Sequence, residues 1–130
     1  MPAEHIQPLG LFKPPTYAQV VKAGNIVYIA GQVAQDEHGQ VVGRGDFMAQ
    51  ATQVFENLRA CLASVGAGFE DLVKINVFLT DARYRPVLVE VRSKFLRDPL
   101  PASTLVVVAG LAEPEYLLEI EGVAILRLSA

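Results

Sequence analysis

Pro99-Leu100-Pro101-Ala102-Ser103-Thr104-Leu105-Val106-Val107-Val108, followed after a loop by Tyr116-Leu117-Leu118-Glu119-Ile120-Glu121-Gly122-Val123-Ala124-Ile125-Leu126, is the stretch that decides the fold. Both runs are rich in β-branched and aliphatic residues, and the turn residues from Gly110 to Pro114 separate them, so the pair predicts two strands. Strand side chains alternate between faces. Leu118, Ile120, Gly122, Ala124 and Leu126 therefore share one side, and Leu117, Glu119, Glu121, Val123, Ile125 and Arg127 share the other. Two acids thus stand among aliphatics on one face. A carboxylate in apolar surroundings needs water or a partner, which makes Glu119 and Glu121 the first candidates for chemistry. The alternative is that this face, or part of it, is wet and the acids are solvated.

Upstream, Met1 to Pro15 carry Pro8, Pro14 and Pro15 beyond Pro2 and no periodicity, which predicts an irregular lead-in draped on the body. Tyr17 to Lys22, the turn Ala23-Gly24-Asn25 and Ile26 to Ala30 read as a β-hairpin ending at Gly31-Gln32. Gly31 marks either a turn, the commoner reading, or a close approach by a ligand or strand. Asp36-Glu37-His38-Gly39 reads as a tight turn. Gly43-Arg44-Gly45-Asp46 reads as a loop with Asp46 as N-cap, the alternative being an anion-binding nest. Phe47, Ala51, Val54, Phe55, Leu58, Leu62 and Val65 recur at helical spacing and predict the main core helix, ending before Gly66. Cys61 lies beside that stripe and reads as a small buried side chain. Leu72 to Leu79 predicts a strand; Tyr84, Val87, Leu88, Val91 and Phe95 predict a second helix with Pro86 in its first turn, stopped at Asp98-Pro99.

The predicted order is β-β-α-β-α-β-β within a single domain spanning 1–130, an α+β architecture with two helices on one sheet face. Ile26 to Ala30 and Leu105 to Val108 are apolar on both sides, and no third helix remains to cover the second face. Hydrophobic residues make up 52% of the chain and charged residues 19%, with a mean hydropathy of +0.32. That is more apolar surface than so short a chain hides alone, so a homo-oligomer is expected. A net charge of −3 without a run of Lys or Arg argues against a nucleic-acid partner. His5 and His38 are isolated and no Cys/His/Asp cluster has ligand spacing, so neither a metal nor a cofactor is expected. The longest apolar run, Leu105 to Ala112, is too short to span a bilayer, and the first residues lack the regions of a signal peptide. Together with a lone cysteine they lead us to expect a soluble, cytoplasmic protein.

Ile29-Ala30-Gly31-Gln32 after a hairpin, the long helix, Lys74-Ile75-Asn76-Val77-Phe78-Leu79-Thr80-Asp81, Pro101-Ala102-Ser103 and Leu118-Glu119-Ile120-Glu121 together resemble the RidA (YjgF/UK114) family, also called endoribonuclease L-PSP, over roughly Tyr17 to Leu126. The resemblance implies a chorismate-mutase-like fold and a homotrimer whose sheets form a central barrel with a cleft at each subunit boundary. It also implies hydrolysis of reactive enamines and imines, with the water-directing glutamate at Glu119, the cleft tyrosine at Tyr17 and a ligand-approached glycine at Gly31. The family's carboxylate-gripping arginine directly follows Pro-Ala, where this chain has Ser103; the frequent cysteine two residues later is Leu105, and a cleft asparagine of some relatives is Val89. A hydroxyl does not replace the two charge-assisted bonds of a guanidinium. Arg92, Arg85 and Arg83, near the second helix, are the candidate substitute cations.

Two functions follow as expectations. One is an enamine/imine hydrolase (deaminase) of altered substrate, in which Glu119 directs water while Gly31, Ser103 and Thr104 contact the substrate and Leu105 lines the site. The other is a non-catalytic trimer that binds a small metabolite or a protein client in the same clefts. A ribonuclease fits poorly, because the chain offers neither phosphate attraction nor a histidine pair for acid/base work.

Overall fold

The computed structural model describes residues 2–127, and Met1 of the predicted lead-in and 128–130 of the predicted domain lie outside them. The chain runs β1 (Glu4–Ile6), β2 (Val20–Ala23), β3 (Ile26–Gln32), α1 (Phe47–Ala63), β4 (Leu72–Leu79), α2 (Arg85–Phe95), β5 (Ala102–Val107) and β6 (Leu118–Ile125). One six-stranded sheet has the order β1-β2-β3-β6-β4-β5. Its pairs are antiparallel except β4 with β5. A parallel pair needs a crossover, and α2 supplies it.

The alternation read in the C-terminal run is the alternation of β6. Leu118, Ile120, Gly122 and Ala124 are buried, and the first two join Val27, Ile29, Ile75 and Val77 beneath Val54, Leu58 and Leu62 of α1 and Leu88 and Val91 of α2. Asp46 caps α1 by accepting a hydrogen bond from the Ala49 amide (3.1 Å), as expected of the residue that ends a plain loop. At the other end Gly66, at φ +71°, turns the chain so that the Ala67 amide bonds back to the Leu62 carbonyl (2.9 Å), a conformation a side chain would strain. Cys61 is buried in α1 and burial pushes its thiol up to about 12, which leaves it inert.

Among the described residues no helix covers the opposite sheet face. Tyr28 is 52% exposed, Val106 44% and Ile125 43%, and all three stand on that open side. Among the described residues no helix is long and apolar enough to cross a membrane.

Two expectations change. The lead-in is not wholly irregular, because Glu4–Ile6 pairs with β2 in register Glu4 to Lys22. A strand of three residues, Glu4–Ile6, is too short to show an alternation, and the free backbone edge of β2 is what orders it. Tyr17 precedes its hairpin strand, which starts at Val20; Gln19, one residue earlier, donates to the Phe12 carbonyl (3.0 Å) and ties the lead-in down.

Candidate functional site

At the end of β6 the sheet opens into a cleft of about 400 Å³ whose lining includes Tyr17, Gly31, Arg44, Glu113, Glu115, Tyr116 and Glu119. Its floor comes from an irregularity in pairing. Ile29 of β3 pairs with Gly122 and Gln32 with Ile120, so Ala30 and Gly31 together oppose Glu121. This β-bulge, not a turn, is why residue 31 is glycine. The group that approaches Gly31 is the Glu119 carboxylate. A Cβ on Gly31 would overlap Glu119 Oε2 and lie 2.7 Å from its Cδ.

The walls are loops held by buried amides. Gln50 on α1, fully buried, donates to the Glu115 (2.8 Å) and Gly43 (3.2 Å) carbonyls and accepts from the Leu117 amide (2.9 Å). Asn57 donates to the Val33 and Gln35 carbonyls, each at 3.0 Å. Gln32 donates to the Gln19 side chain (2.8 Å), which joins the bulged strand to the Tyr17 segment. The predicted turn forms another wall, with the Asp36 carboxylate accepting from the His38 and Gln40 amides, both at 2.9 Å. These polar groups are satisfied inside the fold, so the cleft keeps its shape without a ligand.

Electrostatically the cleft is acidic. Three carboxylates, Glu113, Glu115 and Glu119, face one guanidinium, Arg44, which is itself paired with Glu115 (3.1 Å). Burial raises the Glu119 carboxyl above the ordinary carboxylate range, and the Glu121 charge on the same face raises it further. Burial, and then the Glu119 charge, also push up the Tyr17 phenol. The Tyr116 phenol is raised by burial, then by Glu113 and Glu115. An activated water beside Glu119 would have a carboxylate that takes up protons at higher pH than a solvated one. Among the described residues no group of His, Cys, Asp and Glu side chains is arranged to hold a metal.

Of the residues singled out in the sequence, the structure brings Tyr17, Gly31 and Glu119 together. Ser103, Thr104 and Leu105 lie on the outer edge strand β5, beside Ile75, Asn76 and Val77, with β4 between them and β6. Ser103 and Leu105 point to the side of buried Ile75 and Val77. Thr104 points to the open side and accepts from Lys74 Nζ (2.7 Å). None of the three lines the cleft of its own chain. Arg92 and Arg85 are on α2 and Arg83 is ion-paired with Asp81 (2.6 Å) before it; none of them lines the cleft either. Arg44, Glu113, Glu115 and Tyr116 do, and sequence reasoning missed them as a group because only the fold unites them.

Comparison with known proteins identifies the family. The family described as Endoribonuclease L-PSP matches residues 13–126. The 3-aminoacrylate deaminase RutC of Acinetobacter baylyi is 36% identical over 125 residues, 95% of this chain and 98% of that protein. The 2-iminobutanoate/2-iminopropanoate deaminase of Dermatophagoides farinae is 32% identical over 121 residues, 93% of this chain and 90% of that one. The crystal structure of RidA from an Antarctic Psychrobacter superposes with a TM-score of 0.87 at 41% identity, covering 95% of this chain and 99% of that one. With the family match spanning most of its length and such relatives aligned nearly end to end, this chain belongs to the endoribonuclease L-PSP family, the family of RidA and RutC.

Proposed function

We propose that this chain hydrolyses a reactive imine or enamine to a carbonyl compound and ammonia, with Glu119 directing the water. The observation that carries this reading is the Glu119 carboxylate seated against Gly31 in a cleft it shares with Tyr17. The deaminase names of the two relatives support it at the level of the family. Water adds to the C=N carbon, a proton moves to nitrogen through Glu119, and collapse of the carbinolamine expels ammonia. A carboxylate that holds its proton above the ordinary range suits that exchange.

The working unit in this reading is a homotrimer. The uncovered apolar face with Tyr28, Val106 and Ile125 supports association, and a neighbour is the route by which Ser103, Thr104 and Leu105 reach a cleft they do not reach within their own chain. Ribonuclease action is not part of the proposal, because among the described residues no histidine lines the cleft and its carboxylates repel phosphate.

The test is ammonia release from imines generated in situ by an amino-acid oxidase or an amine oxidase. Wild type should accelerate it, and Glu119→Gln should lose about 100-fold or more of the rate. A second reading, a non-catalytic binding protein, is favoured by the pairing of Arg44, which leaves no free cation among the described residues of the lining. It predicts no acceleration with any imine and unchanged ligand affinity in Glu119→Gln.

A further inference from the structure

We infer that the cleft selects a cationic imine bearing no carboxylate, the iminium form of an imine derived from a simple amine; the inference rests on the hydrolase reading above. Its basis is charge placement. Glu113, Glu115 and Glu119 oppose the single Arg44, three negative charges against one positive for a net −2. The positive charge is already engaged, since Arg44 Nη1 donates to Glu115 Oε1 at 3.1 Å. A substrate carboxylate entering this cleft adds a like charge and finds no unpaired guanidinium among the described residues that one chain contributes to the lining. The chain also has a serine, Ser103, after Pro101-Ala102, and its hydroxyl supplies no charge. An iminium meets the opposite conditions. The acidic lining stabilises the protonated C=N, which is the more electrophilic form, and places it beside the Glu119 carboxylate.

The reaction balances without a further reactant. R–CH=NH2⁺ and H2O give R–CHO and NH4⁺, the C–O bond forming as the C–N bond breaks. The class of reaction that must supply such a substrate is the two-electron oxidation of a primary amine, and the product is an aldehyde.

The test pairs two planar probes of equal size and opposite charge, butanamidinium and butyrate, in calorimetric titrations of the full chain. Butanamidinium should bind at least tenfold more tightly. Glu113→Gln should weaken it several-fold, and Glu115→Gln, which releases Arg44, should strengthen butyrate several-fold. Butyrate binding as tightly as butanamidinium overturns the inference. So does tight butyrate binding that Lys74→Met abolishes, which would identify Lys74, now on Thr104, as a carboxylate-holding cation.

Turnover separates this inference from the reading beneath it. Imines made by an amine oxidase should be hydrolysed with at least tenfold higher kcat/KM than those made from alanine by an amino-acid oxidase. Equal rates, or a preference for the alanine product, overturn the substrate class and leave the hydrolase standing. No turnover of any imine, with the amidinium preference intact, removes the hydrolase and leaves the cation selectivity.

Discussion

Glu119 occupies the space that a side chain on residue 31 would need, with its Cδ 2.7 Å from where a Gly31 Cβ would sit. The obstacle is the end of a flexible side chain rather than backbone, so Gly31→Ala displaces the carboxylate and not the sheet. We expect a stability change under about 1 kcal/mol, read by denaturant unfolding, together with a loss of about tenfold or more in imine hydrolysis. A variant with wild-type rates would mean that the carboxylate's seat on the bulge is unrelated to turnover.

The raised Glu119 carboxyl fixes the sign of two pH effects. In the proposed reaction Glu119 must be ionised to activate water, so activity should fall as pH drops through its raised pKa, with the acid limb above the ordinary value of 4.5. Burial is the larger cause and Glu121 the smaller, so Glu121→Gln moves the limb toward lower pH without reaching 4.5. For stability, the folded state holds the Glu119 proton more tightly than the unfolded chain between 4.5 and the raised value. Stability contributed by that proton is lost as pH rises through this window. Glu119→Gln should therefore be more stable than wild type at neutral pH, by under about 1 kcal/mol once solvent screening of a half-buried group is allowed for. The pH–rate profiles of wild type and Glu121→Gln check the limb; unfolding curves of wild type and Glu119→Gln at pH 4 and pH 7.5 check the stability effect, and an identical pH dependence in the two proteins contradicts it.

Much of the fold was legible because its periodicities are local. The two-residue alternation of Leu118 to Ala124 and the helical spacing from Phe47 to Leu62 are imposed by one element meeting one core, and the observed burial repeats them. The bounds of β4 agree residue for residue with the run Leu72 to Leu79. Of the candidate site, strand patterns pointed to Glu119 and Gly31, and the family resemblance to Tyr17, which lies before its strand. The Arg44–Glu115 pair joins residues 71 positions apart on two loops, and no local pattern encodes such a contact. The same limit explains Ser103 to Leu105. A sequence gives their strand but not that β4 separates that strand from β6.

Gln50 is a site residue of another kind, a buried amide whose three hydrogen bonds hold the Gly43 and Glu115 loops on α1. Gln50→Ala leaves the Leu117 amide and two carbonyls without that partner, which costs about 2 kcal/mol for buried polar groups left unmade. It should also raise KM more than it lowers kcat, since the loops that carry Arg44 and Glu115 form the wall and not the reacting group. Gln50→Glu keeps the acceptor and loses the donor, so it should recover little. A mutant as stable as wild type would show that the loops are held by other contacts.

Oligomerisation is tested on the open face. Tyr28 stands beside Val123 of β6 and Val21 of β2 and is half exposed, so a charge there is solvated in an isolated chain and buried in a trimer. Tyr28→Glu should leave the fold of the single chain intact, because the helix-covered core does not include it. Sedimentation of wild type should give about three times the 14.1 kDa chain mass, and the variant should dissociate, since an unpaired carboxylate in a desolvated interface costs several kcal/mol. Hydrolysis should fall with the trimer, because Ser103 to Leu105 then lose their route to a neighbouring cleft. A Tyr28→Phe control keeps the apolar area and should remain associated and active. Wild-type protein sedimenting as a single chain at micromolar concentration would remove the trimer, and a dissociated Tyr28→Glu with full activity would show that one chain suffices for the chemistry.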